Sequence, residues 1–222
     1  MSYIYISHNA DSRLKVWIAS QGHQILEIKD QPSVYPAISS HADIFICRLG
    51  YSSSAPLFAK TPLGKEYPLC AALCAAANDK YFIHNLKIAD PDLLAAASDA
   101  GLKSIHTNQG FTRCNLLPVG DGFITSDMGI YKVLKQNGID SLLIEEGHIT
   151  LHGHQFGFIG GCAGVIGNTA VFNGDLSSHP NYAEITRYIA AKGLNIHFFP
   201  QYPLEDIGSI IESESFLESI SF

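Results

Sequence analysis

A unit of one strand, one helix and two further strands recurs along the chain and constrains the fold more than any other feature. Four segments open with a short apolar strand ending in polar residues and continue through an amphipathic helix closed by glycine. The closing glycines are Gly22, Gly101, Gly138 and Gly193, and glycine there is typical of a left-handed helix end. The opening strands begin near residues 3, 81, 122 and 169. Since the first interval is about twice the others, a fifth, degenerate unit is predicted between 51 and 79.

The five units predict one domain spanning residues 1–222, because single-domain repeat folds reach this length. Their expected bounds are about 2–50, 51–79 (degenerate), 80–120, 121–168 and 169–212, followed by a short amphipathic tail. Within the degenerate unit, the stretch KEYPLCAALCAAAND predicts an Ala-rich helix that ends at Asn78. Strand and helix therefore alternate throughout, which predicts an α/β fold.

Composition narrows the function classes. The chain is 46% hydrophobic and 16% charged, which excludes a disordered polypeptide. Its net charge is −7 and no basic run interrupts it, so we expect no nucleic-acid partner. No apolar stretch suits a membrane helix, and the first residues, MSYIYISHNADSR, lack the pattern of a signal peptide. Five widely spaced cysteines indicate reduced thiols in a cytoplasmic protein.

Several motifs resemble those of one superfamily. FTRC at 111–114 is similar to the FTRD element of arginine deiminases, and GFIGGCAG at 157–164 resembles their glycine-rich strand end. TNQG at 107–110 is similar to the NQGG stretch of the non-catalytic ribosome anti-association factors of the same fold. With the repeat, these motifs resemble the penteins, the guanidino-group-modifying enzymes, and most of all a bacterial branch without an established activity. The resemblance implies a pentein-like α/β propeller of about five β-α-β-β units.

The chain also departs from this superfamily. Catalytic penteins carry a nucleophilic cysteine in the last unit, where this sequence reads LEDIGSII with Ser209 and has no cysteine after Cys162. They also carry a His-x-Asp element in the preceding unit, whereas here Asp175 precedes His179. The usual Cys-His-acid mechanism therefore does not transfer intact.

If the units form a propeller, the polar ends of the strands converge on one axis. Three aspartates there, Asp127, Asp175 and Asp206, would receive a cationic guanidinium or ammonium group. The other polar residues expected to bind substrate are Asn85, Asn108 and Arg113. The alternative for Asp127 and Asp175 is that they cap helices, as aspartate often does before a first turn.

Cys114 is the best candidate nucleophile, because Arg113 and a nearby histidine would favour its thiolate. His179 or His84 would transfer protons. The alternatives are a buried hydrophobic cysteine and, for His179, an exposed loop histidine. Cys70 and Cys74 lie four apart and are expected to share a packed helix face rather than bind metal.

The remaining motifs predict no cofactor and no metal. His148, His152 and His154 form the densest histidine group and suit zinc with Glu145 or Glu146, but LHGHQ is also typical of a hairpin turn around Gly153. GFIGGCAG lacks the Lys-Ser/Thr ending of a phosphate loop, so close backbone packing is expected there. The other histidines, His41 among them, show no partner pattern.

Two functions follow from these observations. The first is a C–N bond hydrolase or transferase acting on a small guanidino or amidino compound, held as a cation. The alternative is a non-catalytic binding module that keeps the propeller and takes a protein partner, as the ribosome anti-association branch does. The oligomeric state is left open.

Overall fold

The computed structural model describes residues 2–52, 55–62 and 64–217. It is a mixed α/β structure with several small sheets, which confirms the predicted class. The strands are β1 (Tyr3–Ser7), β2 (Gln24–Ile28), β3 (Ile46–Arg48), β4 (Leu57–Ala59), β5 (Ala76–Ala77), β6 (Tyr81–His84), β7 (Lys103–His106), β8 (Leu116–Val119), β9 (Gly122–Thr125), β10 (Ser141–Leu143), β11 (Ala163–Ile166), β12 (Thr169–Phe172), β13 (Asn195–His197) and β14 (Ile211–Ser213). The α-helices are α1 (Ser12–Ser20), α2 (Ala42–Phe45), α3 (Pro91–Asp99), α4 (Thr112–Asn115), α5 (Met128–Gln136) and α6 (Tyr182–Ala191).

Four sheets share one topology. Their orders are β14-β1-β2, β5-β6-β7, β8-β9-β10 and β11-β12-β13, and a fifth sheet pairs β3 with β4. In each three-stranded sheet the middle strand runs antiparallel to the first strand named and parallel to the last. Helices α1, α3, α5 and α6 connect the two parallel strands, which a parallel pair requires. The sheets do not coincide with the units of the sequence repeat. The last strand of each unit pairs with the first strand of the following unit, and the last strand of the fifth unit pairs with the first strand of the first unit.

Local sequence signals set the ends of the long helices. Asp11 caps α1, Asp90 caps α3 and Asp127 caps α5, each accepting a hydrogen bond from a backbone N–H of the first turn. The glycines that follow the four long helices all have positive φ, between 68° and 84°. These left-handed ends confirm the positions predicted from the repeat.

The predicted Ala-rich helix in the degenerate unit is wrong. The structure has a short 3₁₀ turn at Leu69–Ala71 and the strand β5 at Ala76–Ala77. Residues 70–77 are all buried, and β5 pairs with Ile83 and Phe82 of β6. Helix propensity was overridden here because the small alanine side chains let β5 lie against strands on several sides.

One strand from each sheet contacts two others in a cycle. β3 contacts β5, β5 contacts β8, β8 contacts β11, β11 contacts β14, and β14 contacts β3. We call these five the inner strands. They enclose a small cavity of about 40 Å³, and every inner strand contributes to its lining.

The outer elements are amphipathic. Helix α6 buries Ile185 and Ile189, and helix α5 buries Ile130 and Leu134, each against the sheet it follows. Among the described residues, no helix has the length and apolarity to cross a membrane. The predicted tail over 212–222 extends beyond the described residues, which end at 217.

Candidate active site

A cluster of five residues lies where the inner strands begin. Each member stands two or three positions before one inner strand, and the five are Asp43, Cys74, Cys114, Gly161 and Ser209. We call them the central cluster. The short helices α2 and α4 carry Asp43 and Cys114 into it. All four side chains of the cluster, those of Asp43, Cys74, Cys114 and Ser209, are buried.

Backbone hydrogen bonds hold these segments together. The N–H of Ser209 donates to the carbonyl of Gly161 at 2.7 Å, and the N–H of Gly161 donates to the carbonyl of Cys114 at 2.9 Å. The N–H of Arg113 donates to the carbonyl of Cys74 at 2.9 Å, and the N–H of Asp43 to the carbonyl of Gly208 at 3.1 Å. Because the main chain is fixed in this way, the side chains of the cluster have well-defined positions.

Two side chains donate to the same oxygen of Asp43. The Cys114 thiol lies 3.1 Å from Oδ2, and the Ser209 hydroxyl lies 2.5 Å from it. The sulfur of Cys74 lies 3.7 Å from that of Cys114. Ser209 has a φ of 75°, in the left-handed region that a non-glycine residue seldom adopts. Such a conformation persists only where its surroundings hold it, and here they include the bond to Asp43.

A cavity of about 350 Å³ opens beside the central cluster, and we call it the Cys114 cavity. Cys114, His41 and Asp206 form part of its wall, together with the aromatic rings of Phe111 and Phe158. The rest of its lining consists of Tyr35, Ile38, Gln109, Asn115, Leu151, His154, Gln155 and Phe156. Its volume suits a small organic molecule, and its apolar walls and few polar groups are typical of ligand sites.

His41 brings a titratable ring to this wall. One ring nitrogen of His41, one carboxylate oxygen of Asp43 and the sulfur of Cys114 all lie within 4.8 Å of one another. Nδ1 of His41 lies 4.0 Å from Oδ1 of Asp206. The wall of the Cys114 cavity thus contains a thiol, an imidazole and the Asp206 carboxylate, and the Asp43 carboxylate lies beside the thiol and the imidazole. These groups are able to perform nucleophilic and acid–base chemistry.

Asp206 is held by backbone donors. Its carboxylate accepts hydrogen bonds from the N–H groups of Phe158 and Gly208, each at 3.0 Å. Burial raises the pKa of Asp206 to about 6, although these two donors and the charge of Arg113 act in the opposite direction. A methyl group on Gly161 would lie 2.0 Å from Oδ1 of Asp206. The glycine-rich stretch therefore gives room for this carboxylate, in agreement with the close backbone packing predicted for it.

Burial also sets the protonation states in the cluster. It lowers the pKa of His41 and raises the pKa of Asp43. The increase for Asp43 is partly opposed by the charge of His41 and by the hydrogen bonds from Ser209 and Cys114. The pKa of the Cys114 thiol is raised well above its usual value by the hydrogen bond with Cys74, by burial and by the negative charge of Asp43. The arrangement therefore favours a protonated thiol beside a neutral imidazole at neutral pH.

Arg113 does not point toward the thiol that follows it in sequence. Its guanidinium donates to the carbonyls of Gly160 and Ala163, at 2.8 Å and 3.1 Å, and is buried. It therefore joins the segment before β8 to the first residue of β11 and to the segment before that strand.

The two histidines predicted to serve Cys114 have other described partners. Nδ1 of His84 lies 3.1 Å from the hydroxyl of Thr112, and burial lowers the pKa of His84 to about 4. Nδ1 of His179 accepts from the N–H of Asn181 at 3.1 Å, and its ring packs against His148. The structure instead brings His41 to Cys114.

Of the three predicted aspartates, the structure brings only Asp206 to the Cys114 cavity. Oδ1 of Asp127 accepts from the N–H of Ile130, and Oδ1 of Asp175 accepts from the N–H of Ser177. The capping interpretation is confirmed for both residues.

The two predicted asparagines are hydrogen-bonded to one another and do not line the Cys114 cavity. The amide of Asn85 donates to the carbonyl of Asn108 at 3.3 Å. Asn108 and Asp127 line a separate cavity of about 220 Å³. Asn108 therefore belongs to a second depression, which shares Gln109 with the lining of the Cys114 cavity.

The three members of the dense histidine group have different partners. His148 lies 3.7 Å from Glu145, His152 lies 3.2 Å from Glu205, and His154 lines the Cys114 cavity. Cys70 and Cys74 are both buried in the core that contains Cys114, as packed thiols. All five cysteines are free and buried.

Sequence reasoning missed His41 and Asp43. Each of the segments HADIFICR, FTRCNLLP and DIGSIIES carries a residue of the central cluster two or three positions before an inner strand. Aligning the segments on those strands places Asp43, Cys114 and Ser209 at nearly equivalent positions. That alignment is the signal that would have pointed to Asp43, and to His41 two residues earlier.

Comparison with known proteins assigns a family without a function. No curated protein matches the sequence. One family model, described as "Family of unknown function (DUF6873)", matches residues 51–211 and so includes Cys114, Asp206 and Ser209. Because this match covers well over half of the chain, the protein belongs to the DUF6873 family.

Proposed function

We propose that the protein is a hydrolase or transferase that breaks a C–N bond of a small guanidino or amidino compound in the Cys114 cavity. One observation carries the proposal. Atoms of Cys114, His41 and Asp43 lie within 4.8 Å of one another beside a cavity of about 350 Å³. This placement joins a nucleophile, a proton acceptor and an acidic group at one point.

The proposal includes a pentein-like propeller arrangement of the five sheets. It is supported by the cycle of contacts among the inner strands and by the small cavity that all five line. A further support is that every inner strand has one central-cluster residue just before it. Five similar units around one axis would bring these positions together.

Substrate recognition would depend on charge. A planar amidinium or guanidinium group presents N–H donors to carboxylates, and Asp206 and Asp43 are the acidic groups beside Cys114. Both carboxylates are buried, so a bound cation would offset the cost of their ionisation. The positive charge would also lower the pKa of the Cys114 thiol, because it stabilises the thiolate.

The chemistry would then proceed in two steps. His41 accepts the thiol proton, and the Cys114 sulfur attacks the central carbon of the amidinium group, forming a C–S bond. The tetrahedral adduct collapses with cleavage of a C–N bond, and the amine leaves with the proton held by His41. Water, or a second amine in a transferase, next attacks the same carbon and breaks the C–S bond, which restores the thiol.

The test combines turnover with alkylation. Wild-type protein and the Cys114→Ser and Cys162→Ser variants are incubated with a library of amidines and guanidines, and released ammonia or amine is measured. Cys162 is a buried thiol that does not line the Cys114 cavity, so it is the matched control. We expect turnover by wild type and Cys162→Ser and none by Cys114→Ser.

A second readout examines the thiol directly. Sub-stoichiometric iodoacetamide should label Cys114 first, and a cationic substrate should protect it. Equal, slow labelling of all five cysteines, or turnover retained by Cys114→Ser, would contradict the proposal.

The raised pKa of Cys114 favours a second candidate, a non-catalytic module that binds a cation or a protein partner. This candidate predicts that amidines bind, as measured by calorimetry, without release of ammonia or amine. A stable protein partner in a pull-down would also support it. Buried, free cysteines agree with the further proposal of a reducing, cytoplasmic setting.

A further inference from the structure

Two buried polar atoms of the candidate site find no hydrogen-bond partner among the described residues. They are Nδ1 of His41 and Oδ1 of Asp43, and their residues are only 5% and 0% exposed. Buried polar atoms are nearly always paired, because an unpaired one costs the free energy of its lost hydration. Two such atoms, on residues that adjoin the same thiol, indicate a ligand that would use them.

The types of side chain indicate a transition metal. A thiolate, an imidazole and a carboxylate together form a donor set that suits zinc, whereas Mg²⁺ and Ca²⁺ prefer oxygen ligands alone. The three donor atoms lie within 4.8 Å of one another, and the Cys114 sulfur is 3.1 Å from Asp43. Bond lengths of about 2.0–2.3 Å place tetrahedral zinc ligands roughly 3.3–3.8 Å apart, so small side-chain movements would suffice.

The surroundings of the three donors would support such an ion. Ser209 donates to Oδ2 of Asp43 and thereby fixes the carboxylate, as second-layer hydrogen bonds do in metal sites. Cys114 and His41 line the Cys114 cavity, which gives an ion and a fourth ligand access. The two negative charges of the thiolate and the carboxylate would balance the charge of a divalent ion.

We propose that His41, Asp43 and Cys114 bind one zinc ion, and that this ion excludes an amidinium substrate from the same position. On binding, zinc replaces the proton of the Cys114 thiol, a Zn–S bond forms and the proton passes to solvent. The ion binding stands apart from the proposed function, and only its inhibitory consequence rests on that function. The zinc-bound protein would thus be inactive, because the sulfur of its nucleophile is bonded to the ion.

The experiment measures metal binding without reference to turnover. Reduced full-length protein is dialysed against ZnCl₂, and bound zinc is counted. Co²⁺ is then added as a spectroscopic probe, because a Co²⁺–thiolate bond gives a charge-transfer absorption band. We expect one zinc per chain and a cobalt–thiolate band that zinc abolishes.

Variants identify the ligands. Cys114→Ser and Asp43→Asn should each weaken zinc binding at least tenfold, and Cys114→Ser should also remove the cobalt–thiolate band. Cys47→Ser removes another buried thiol and should retain both properties. If a variant fails to fold, wild-type protein alkylated with iodoacetamide is used in its place. Mass spectrometry verifies that Cys114 is labelled.

Two results would overturn the zinc site: bound zinc below about one-tenth of an equivalent, or unchanged affinity after loss of Cys114. The two proposals fail separately. Zinc binding without amidine turnover would contradict the proposed enzymatic function and support the zinc site. If saturating zinc leaves turnover unchanged, the proposed inhibition by zinc is contradicted.

Discussion

The sulfur atoms of Cys74 and Cys114 lie 3.7 Å apart, although 40 residues separate them in sequence. Their backbones are adjacent, because the N–H of Arg113 donates to the carbonyl of Cys74. Thiols this close need only a small movement to reach the bonded distance of about 2.05 Å. Diamide, which takes up the two protons and two electrons, should therefore link them as a disulfide.

Mass spectrometry of the digested protein checks this linkage. We expect a cross-linked peptide pair that contains Cys74 and Cys114, with a loss of two hydrogens. The Cys74→Ala variant should show none, and zinc should slow the reaction. A pair joining any other two of the five cysteines would contradict the geometry.

Arg113 should be a large contributor to stability. Its buried guanidinium serves two carbonyls, those of Gly160 and Ala163. Removing one charged hydrogen-bond partner costs roughly 1.5–3 kcal/mol, so Arg113→Ala should lower the free energy of unfolding by about 3 kcal/mol or more. Urea denaturation measures the change, and Arg187→Ala, on the exposed side of α6, is the control with little effect.

A methyl group at residue 161 should disturb the site. The added carbon would lie 2.0 Å from the Asp206 carboxylate, which cannot remain where it is. Gly161→Ala should therefore destabilise the protein by more than about 2 kcal/mol and abolish protection of Cys114 by a cationic ligand. Gly138→Ala meets no atom within 4 Å and has only the strain of its φ of 68°, so it should retain the protection. Equal effects of the two substitutions would exclude the steric explanation.

His84 should make stability fall in acid. Burial lowers its pKa from 6.5 to about 4 in the folded protein, so the unfolded chain binds the proton more tightly. The contribution of His84 is complete above pH 6.5 and is lost as the pH falls toward 4. The shift corresponds to about 3 kcal/mol.

Urea denaturation at several pH values tests this dependence. His84→Gln should flatten the profile over the interval from pH 6.5 to 4. Arg187→Ala, on the exposed side of α6, is the control and should leave the profile as in wild type. A wild-type slope that persists in His84→Gln would assign the acid sensitivity to other groups.

Local signals made the outer elements predictable. Three long helices are capped by Asp11, Asp90 and Asp127 and are followed by Gly22, Gly101 and Gly138. Both signals act between near neighbours in sequence. The strand β5 was mispredicted because its partner strand and its burial, rather than its alanines, decide its conformation.

The candidate site was only partly predictable for the same reason. Cys114 and Asp206 were identified from motif and charge, but their neighbour Asp43 is 71 residues from Cys114 and 166 from Ser209. No single stretch of sequence contains the arrangement. Asp127 and Asp175 looked equivalent to Asp206, yet a helix N-terminus and a 3₁₀ turn use their carboxylates.

The pairing of β1 with β14 has a consequence for biosynthesis. Ser2 and Glu212 are hydrogen-bonded at 2.7 Å across 210 positions of the chain, and Tyr3 pairs with Ser213. The ribosome makes β14 about 210 residues after β1, so the sheet that contains β1 lacks one strand until β14 emerges. During that interval the edge of β1 that later pairs with β14 is open to pairing with other chains, so premature release of the chain before β14 would leave an aggregation-prone sheet edge.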